Sequence, residues 1–341
     1  MKRENKAVDN RNFSLVNISR IHRSISSNIV RTPTLESKNE GSNRLFLKCE
    51  NLQITDSFKV RGALGALHSY RDLHPDIWRI IKKHGVVTCS SGNFAQGVAY
   101  ATRQLGVSCT VVVPDSIPLA KLMRIHRFNS DIKVIKTGYA EWQHTMTTSS
   151  YPGQLGFFLS SESDPYVSLA IATIGAEILE DLPGVDALLV PYGGGNLSYS
   201  TASLVRAVGS GIKVYAVEVT TGAPFSASMR AGFPVDVPYE RSFIDGIGAS
   251  FVIPAQFYRV RDLLSGVLTV DPSEVASALS SLLTEDKIMS EGAGAAAVAA
   301  ARKYSNQYGW GKPCAVVSGG VMDTEVLLDI VSRNLLPSLA A

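Results

Sequence analysis

Short apolar, β-branched runs recur along this chain, separated by longer stretches in which apolar positions return every three or four residues. The short runs predict strands at Leu45–Cys49, Val86–Cys89, Thr110–Val113, Ile132–Ile135, Phe157–Leu159, Ala187–Val190, Val214–Val219, Val267–Val270 and Ala315–Val317. The periodic stretches predict helices over Asn93–Leu105, Val167–Leu182, Leu197–Val208, Pro272–Leu283 and Gly292–Tyr304. Strands that are apolar throughout are buried on both faces. Alternating with helices, they define an α/β protein with largely parallel sheets. The first 20 or so residues are polar and are expected to form a mobile arm. No internal repeat or low-complexity linker interrupts the pattern. The sequence runs out soon after Leu336, which is expected to leave no room for an appended regulatory domain.

Composition narrows the class without naming it. The 341 residues are 45% hydrophobic and 18% charged, which suits a large core in one big domain or two intimate ones. Net charge is +3 with the basic residues scattered, so no nucleic-acid partner is expected. Cys49, Cys89, Cys109 and Cys314 lie far apart in or beside apolar runs, as buried reduced thiols of a cytoplasmic protein would. All six histidines fall in the first half without a metal-ligand spacing, and no metal is expected. The charged start Met1-Lys2-Arg3-Glu4 is not a secretory signal. No apolar run reaches membrane-spanning length, so no membrane partner is expected either.

In parallel α/β folds, ligands sit beyond the carboxyl ends of the strands. Four turns of small residues stand at such ends. The first, Asp56-Ser57-Phe58-Lys59-Val60-Arg61-Gly62-Ala63, follows the run from Leu45 and places a lysine between an aromatic residue and a helix start. A lysine held there is partly desolvated, and its unprotonated amine can form a Schiff base with an aldehyde; a solvated surface lysine is the ordinary alternative. The second turn is Ser90-Ser91-Gly92-Asn93. Its hydroxyls and the following helix amides can hold a carboxylate, although a plain serine N-cap gives the same pattern. Asn93 can donate to or accept from a ring hydroxyl. The third, Tyr192-Gly193-Gly194-Gly195-Asn196, has more glycine than a tight turn needs. It reads as a phosphate cradle at a helix N-terminus. It lacks the G-x-G-x-x-G spacing of a nicotinamide site. The fourth, Ser318-Gly319-Gly320, offers a hydroxyl that can pair with a neutral ring nitrogen.

Taken in order, these segments resemble the fold-type II pyridoxal-phosphate enzymes, in particular the serine/threonine dehydratase and serine racemase family. The resemblance runs from about Ile29-Val30-Arg31-Thr32-Pro33 to Gly320 and includes Asp245-Gly246-Ile247 and Glu291-Gly292-Ala293-Gly294-Ala295. It implies a tryptophan synthase β-like fold of two open twisted sheets flanked by helices. A large cofactor domain would take residues 1–83 and 157–341, and a small mobile domain residues 84–156. It implies that pyridoxal 5'-phosphate is held by Lys59 as a Schiff base, with Lys59 later moving protons. Phe58 would pack on the ring, Gly193, Gly194, Gly195 and Asn196 would bind the phosphate, Asn93 the ring hydroxyl, and Ser318 the ring nitrogen. Ser90, Ser91, Gly92 and Asn93 would bind the substrate carboxylate. The implied activity is elimination of water and ammonia from a β-hydroxy amino acid such as threonine or serine. A homodimer is also implied.

Several positions depart from the family pattern. Asp56 stands where glycine is usual, Phe94 where histidine is, Asn196 where a fourth glycine is, Val321 where asparagine is, and Ala170-Ile171-Ala172-Thr173 where G-Q-G-T is. Gathered near one site, they would point to a different substrate or a specialised reaction. Asp56 either repels an anionic side chain or caps the next helix. Ser91 occupies the place of the racemase proton donor and permits racemisation. Glu218 matches the first ligand of the racemase cation site, but Pro224 stands near the second, which argues against a divalent ion there and leaves a monovalent ion at Glu218 open. Racemisation, specialised β-elimination or β-replacement is therefore the alternative chemistry. A fold that lost catalysis is opposed by the presence of Lys59, Asn93 and Ser318.

Overall fold

The computed structural model describes residues 13–38, 44–153 and 155–339, the last five by backbone alone. Its strands are β1 Thr34–Glu36, β2 Phe46–Lys48, β3 Val86–Cys89, β4 Cys109–Pro114, β5 Lys133–Thr137, β6 Phe157–Phe158, β7 Ala187–Pro191, β8 Lys213–Val219, β9 Gly266–Val270 and β10 Pro313–Val316. Among the described residues they form two sheets, ordered β1-β2-β10-β7-β8-β9 and β5-β4-β3-β6. Every pairing is parallel except β1 with β2. The α/β class and the two mostly parallel sheets expected from the sequence are what the chain adopts. Each predicted strand is present within two residues at either end. The short edge strand β1 escaped the pattern because three partly exposed residues cannot show a period.

The strand order explains why distant turns meet. β2, β10 and β7 lie side by side, in register Cys314↔Phe46 and Pro313↔Ala187. Their carboxyl ends lead to Lys59, Ser318 and the glycine loop respectively. β3, in the second sheet, leads to Ser90. Three of the four turns are thus neighbours through hydrogen-bonded strands, and the second sheet brings up the fourth.

Two expectations need correction. The segment after residue 13 is not an arm. Leu15–Ile25 is a helix whose Ser14 Oγ accepts from Asn17 N at 3.2 Å, and Ile18, Ile21 and Ile25 are buried on one face. Three isoleucines at helical spacing outweigh the polar composition around them. Residues 1–12 lie outside the described residues. The single helix expected at Val167–Leu182 is two, Pro165–Ile171 and Thr173–Asp181. At the break, Thr173 Oγ1 donates to Ala170 O at 2.6 Å and competes with the helix ladder.

The helix Lys59–Leu73 packs closely on Pro165–Ile171. A Cβ added at Gly65 would lie 2.3 Å from Ala170 Cβ, and one at Gly62 would lie 2.8 Å from Val167 Cγ1. The glycines permit that approach. Gly65→Ala is therefore expected to destabilise the protein by about 1–3 kcal/mol through overpacking, despite alanine's better helix propensity. A lowered urea midpoint at unchanged m-value checks this; an unchanged midpoint contradicts it. On the other face of the main sheet, the helix Gly292–Tyr308 is buried along Ala293–Ala301, its small side chains fitting a close contact with the strands.

Candidate active site

The four turns line one cavity of about 270 Å³. Lys59 opens its helix at the cavity edge with Nζ 5.1 Å from the Phe58 ring centre and 5.9 Å from that of Phe94. Phe94 lies in the first turn of the helix Asn93–Leu105 and is buried. The lysine turn is stitched to the fourth turn: Phe58 N donates to Ser318 O at 3.1 Å, and Gly320 N donates to Asp56 O at 2.8 Å. Lys59 and Ser318 are thereby held by a common backbone frame.

Opposite stands the loop Gly193–Gly195, capping the twelve-residue helix Asn196–Ala207. A Cβ at Gly193 would lie 2.9 Å from Gly246 O, and one at Gly195 would lie 2.9 Å from Tyr192 Oη. Gly195 also has φ +89°, in the left-handed region that favours glycine. Converging amides at a helix N-terminus suit a phosphate. A lysine amine, flanking rings, an anion cradle and a serine hydroxyl in one cavity fit pyridoxal phosphate in chemical type.

Asn93 is fixed from behind. Its Nδ2 donates to Glu291 Oε1 and Oε2 at 3.2 and 3.1 Å. Burial pushes the Glu291 carboxyl up to about 7, against the hydrogen bond from Asn93. Ser90, Ser91 and Gly92 line the cavity. The capping position of the Asn93 helix is Gly92, with no side-chain cap, so neither serine serves as N-cap. Ser90 Oγ instead accepts from Gly92 N at 3.3 Å within the turn.

The departures separate into two groups. Phe94, Asn196 and Val321 line the cavity. Ala170–Thr173 does not; it is buried against the Lys59 helix. Asp56 is exposed, outside the cavity lining, and the Lys59 helix has no side-chain cap, so neither role expected of Asp56 is the one found. Its φ of +56° is a glycine-like conformation that aspartate tolerates, which accounts for the exchange. Glu218 is buried and accepts from Phe225 N at 2.9 Å and Ser226 N at 2.6 Å, at the start of the helix Pro224–Ala231. Burial still pushes its carboxyl up to about 7.

Two acidic residues were missed as site residues by the sequence reading. Glu291 opens the Glu291-Gly292-Ala293-Gly294-Ala295 motif, to which the resemblance assigns no site role. Glu162 was not singled out. Its Oε1 lies 3.5 Å from Lys59 Nζ. It stands in Ser160-Ser161-Glu162-Ser163, a serine-rich turn directly after the predicted strand Phe157–Leu159. Like the other four, this is a small-residue turn at a strand end, and that is the signal that marks it.

Comparisons with known proteins agree with this architecture. The family described as pyridoxal-phosphate dependent enzyme matches residues 25–319. The chain belongs to that family, and pyridoxal phosphate is its cofactor. Within the family it is similar to an L-threonine ammonia-lyase of Geobacter sulfurreducens, 33% identical over 291 residues, 85% of this chain and 70% of that protein. The catabolic L-threonine dehydratase of Escherichia coli is 31% identical over 283 residues, 82% of this chain and 83% of that one. The solved structure of a serine racemase from Dictyostelium discoideum superposes with a TM-score of 0.79 at 28% identity, covering 91% of this chain and 99% of that one.

Proposed function

We propose that this protein deaminates a β-hydroxy amino acid such as threonine or serine to a 2-oxo acid and ammonia. The observation that carries the reading is the Lys59 amine at the cavity edge, bracketed by Phe58 and Phe94 and facing the Gly193–Gly195 cradle. The similarity to threonine ammonia-lyases supports it.

When bound, the cofactor supplies the electron sink that makes the substrate Cα–H acidic. The chain's own residues do the rest. Lys59 anchors the cofactor and takes the α-proton. Phe58 packs on the ring, Gly193, Gly194, Gly195 and the Asn196 amide bind the phosphate, and Ser318 meets the ring nitrogen without giving it a positive charge. Asn93, held by Glu291, contacts the ring hydroxyl, and the Ser90–Asn93 turn takes the substrate carboxylate. Residues 84–156, together with the strand β6 at Phe157–Phe158 that pairs with β3 and so extends the expected boundary, form a small domain that closes over the substrate. The exposed Lys121–Asp245 ion pair, 2.5 Å long, joins it to the main body and is weak enough to open. We further place the protein in the cytoplasm as a homodimer. Its four buried free cysteines fit a reducing compartment, and among the described residues no helix is long and apolar enough to cross a membrane.

The test is to add L-threonine, L-serine and D-serine to the holoenzyme while following the cofactor absorption band and 2-oxo acid release. A band change with oxo acid supports the reading. A band change with inverted amino acid and no oxo acid replaces it by racemisation, the second reading, which Ser91 at the cavity wall favours. Ser91→Ala is expected to suppress any racemisation by about 100-fold while sparing elimination, as loss of one proton donor should. Chiral analysis of recovered serine measures the first and oxo acid the second. Equal loss of both would assign Ser91 to carboxylate binding alone.

A further inference from the structure

Glu162 is an ionisable side chain whose place in the cavity is not explained by cofactor binding. Its carboxylate lies flat against Gly194, where an added Cβ would be 2.4 Å from Glu162 Cδ, so the glycine makes room for it. Oε1 accepts from Ser161 Oγ at 2.7 Å and lies 3.5 Å from Lys59 Nζ. Oε2 is buried with no hydrogen-bond partner among the described residues. The backbone beneath is pinned from both sides. Asn196 Nδ2 donates to Ser161 O at 2.6 Å, and Gln256 Nε2 donates to Glu162 O at 2.7 Å. Asn196 is itself one of the departures in the glycine loop, so an unusual residue in the loop holds the turn that carries the acid.

The other charges lining the cavity have partners of their own. Lys121 is bonded to Asp245 at 2.5 Å, and Glu291 is bonded to Asn93. Arg259 Nη1 donates to the Glu162 backbone oxygen at 3.4 Å from outside the cavity lining, so Lys59 is the remaining cation within the lining beside the carboxylate, and its nitrogen is committed to the cofactor and to proton transfer. It cannot serve as a lasting counter-charge. A substrate that brings a hydrogen-bond donor or a positive charge beside its Cα restores the balance. One that brings a second carboxylate adds repulsion beside the Glu162 carboxylate.

From this arrangement we infer that Glu162 is a specificity-determining residue: it selects substrates whose β-substituent donates hydrogen bonds, ammonium above hydroxyl, and rejects those with a carboxylate there. The inference rests on the pyridoxal-phosphate lyase reading above and deepens it by naming the substrate feature read.

The experiment titrates wild-type, Glu162→Gln and Glu162→Asp holoenzymes with L-2,3-diaminopropionate, L-serine and L-aspartate. It records the half-saturation of the cofactor absorption change and, separately, oxo acid release. Wild type should respond to diaminopropionate at a concentration about tenfold or more below serine, and to aspartate weakest of all. Glu162→Gln should compress that order by about tenfold at each end, whereas Glu162→Asp, which keeps the charge, should preserve it. An order unchanged in Glu162→Gln overturns the inference. So does a uniform weakening for all three ligands, which would make Glu162 a general aid to amine exchange. If Glu162→Gln fails to hold cofactor, Glu162→Asp decides: acceptance of aspartate as readily as serine overturns the inference, and continued exclusion upholds it. Oxo acid release with an unmoved ranking removes this inference and leaves the lyase reading. A ranking that moves without oxo acid does the reverse.

Discussion

Lys59→Ala is expected to give a folded protein without the visible cofactor band and with turnover reduced on the order of 10⁴-fold or more, because one side chain serves as both covalent anchor and proton carrier. The fold should survive. The Lys59 side chain is partly exposed and makes one ion pair, with Glu162 at 3.5 Å, so its removal opens no core cavity. Its helix is secured elsewhere, by Val60, Leu64 and Leu67 in the core and by Arg61 beneath. The cradle at Gly193–Gly195 is left intact and should still hold pyridoxal phosphate weakly by its phosphate. The variant should therefore bind added cofactor non-covalently, released by gel filtration, while wild type retains it until reduced or displaced by an amine. Urea melting within about 1 kcal/mol of wild type would confirm that the loss is chemical, since partly exposed substitutions away from core features are mild. Full activity in Lys59→Ala, or a retained covalent band, would remove Lys59 from the role and with it the proposed site.

The sequence displayed the fold through its strands. Apolar runs such as Val86–Cys89 and Val214–Val219 have no competing period, and the turns after them carry the site's small residues. Lys59, Asn93, Gly193–Gly195 and Ser318 could be gathered because each follows such a run, and sheet order then makes them neighbours. What could not be read was tertiary. Ile18, Ile21 and Ile25 mark a helix, but their polar neighbours masked it. Asp56 looked like a ligand-facing charge because its motif faces ligand. Its backbone conformation, and not its carboxylate, is what that position requires. Glu162 lies in a turn whose importance depends on β6 joining the second sheet beside β3, a pairing no local pattern reveals. The largest omission was electrostatic. Lys48, Glu50, Arg61 and Glu177 are separated by up to 129 positions, yet they form one buried cluster.

That cluster sets the other large effect: Arg61→Met is expected to cost about 3–5 kcal/mol of stability, the range for removing one partner of a buried ion network. Arg61 is fully buried two residues beyond Lys59. Its Nε and Nη2 donate to Glu50 at 2.8 Å each, and Nη1 and Nη2 donate to Glu177 at 2.7 and 2.9 Å. Lys48 Nζ donates to Glu177 at 2.6 Å, and His22 Nε2 lies 3.0 Å from it, so the cluster ties β2, the N-terminal helix and the Thr173 helix to the helix bearing Lys59. Methionine fills much of the volume but leaves Glu50 without its fork and Glu177 with less compensation. Burial raises the Glu177 carboxyl, yet hydrogen bonds from His22 and Arg61 outweigh it and hold the group below its ordinary 4.5. A carboxylate so held contributes stability that is complete above the unfolded value and is lost as pH falls through the folded one. The deficit of Arg61→Met should accordingly be largest near neutrality and shrink toward acid, where the stranded carboxylates protonate. Arg61→Lys keeps the charge without the planar fork and should fall between. Urea titrations of the three proteins at pH 7.5 and about pH 3.5, below the ordinary 4.5 where the carboxylate's contribution is being lost, decide it. A pH-independent deficit would mean that packing around Arg61, and not its charge, secures the lysine helix.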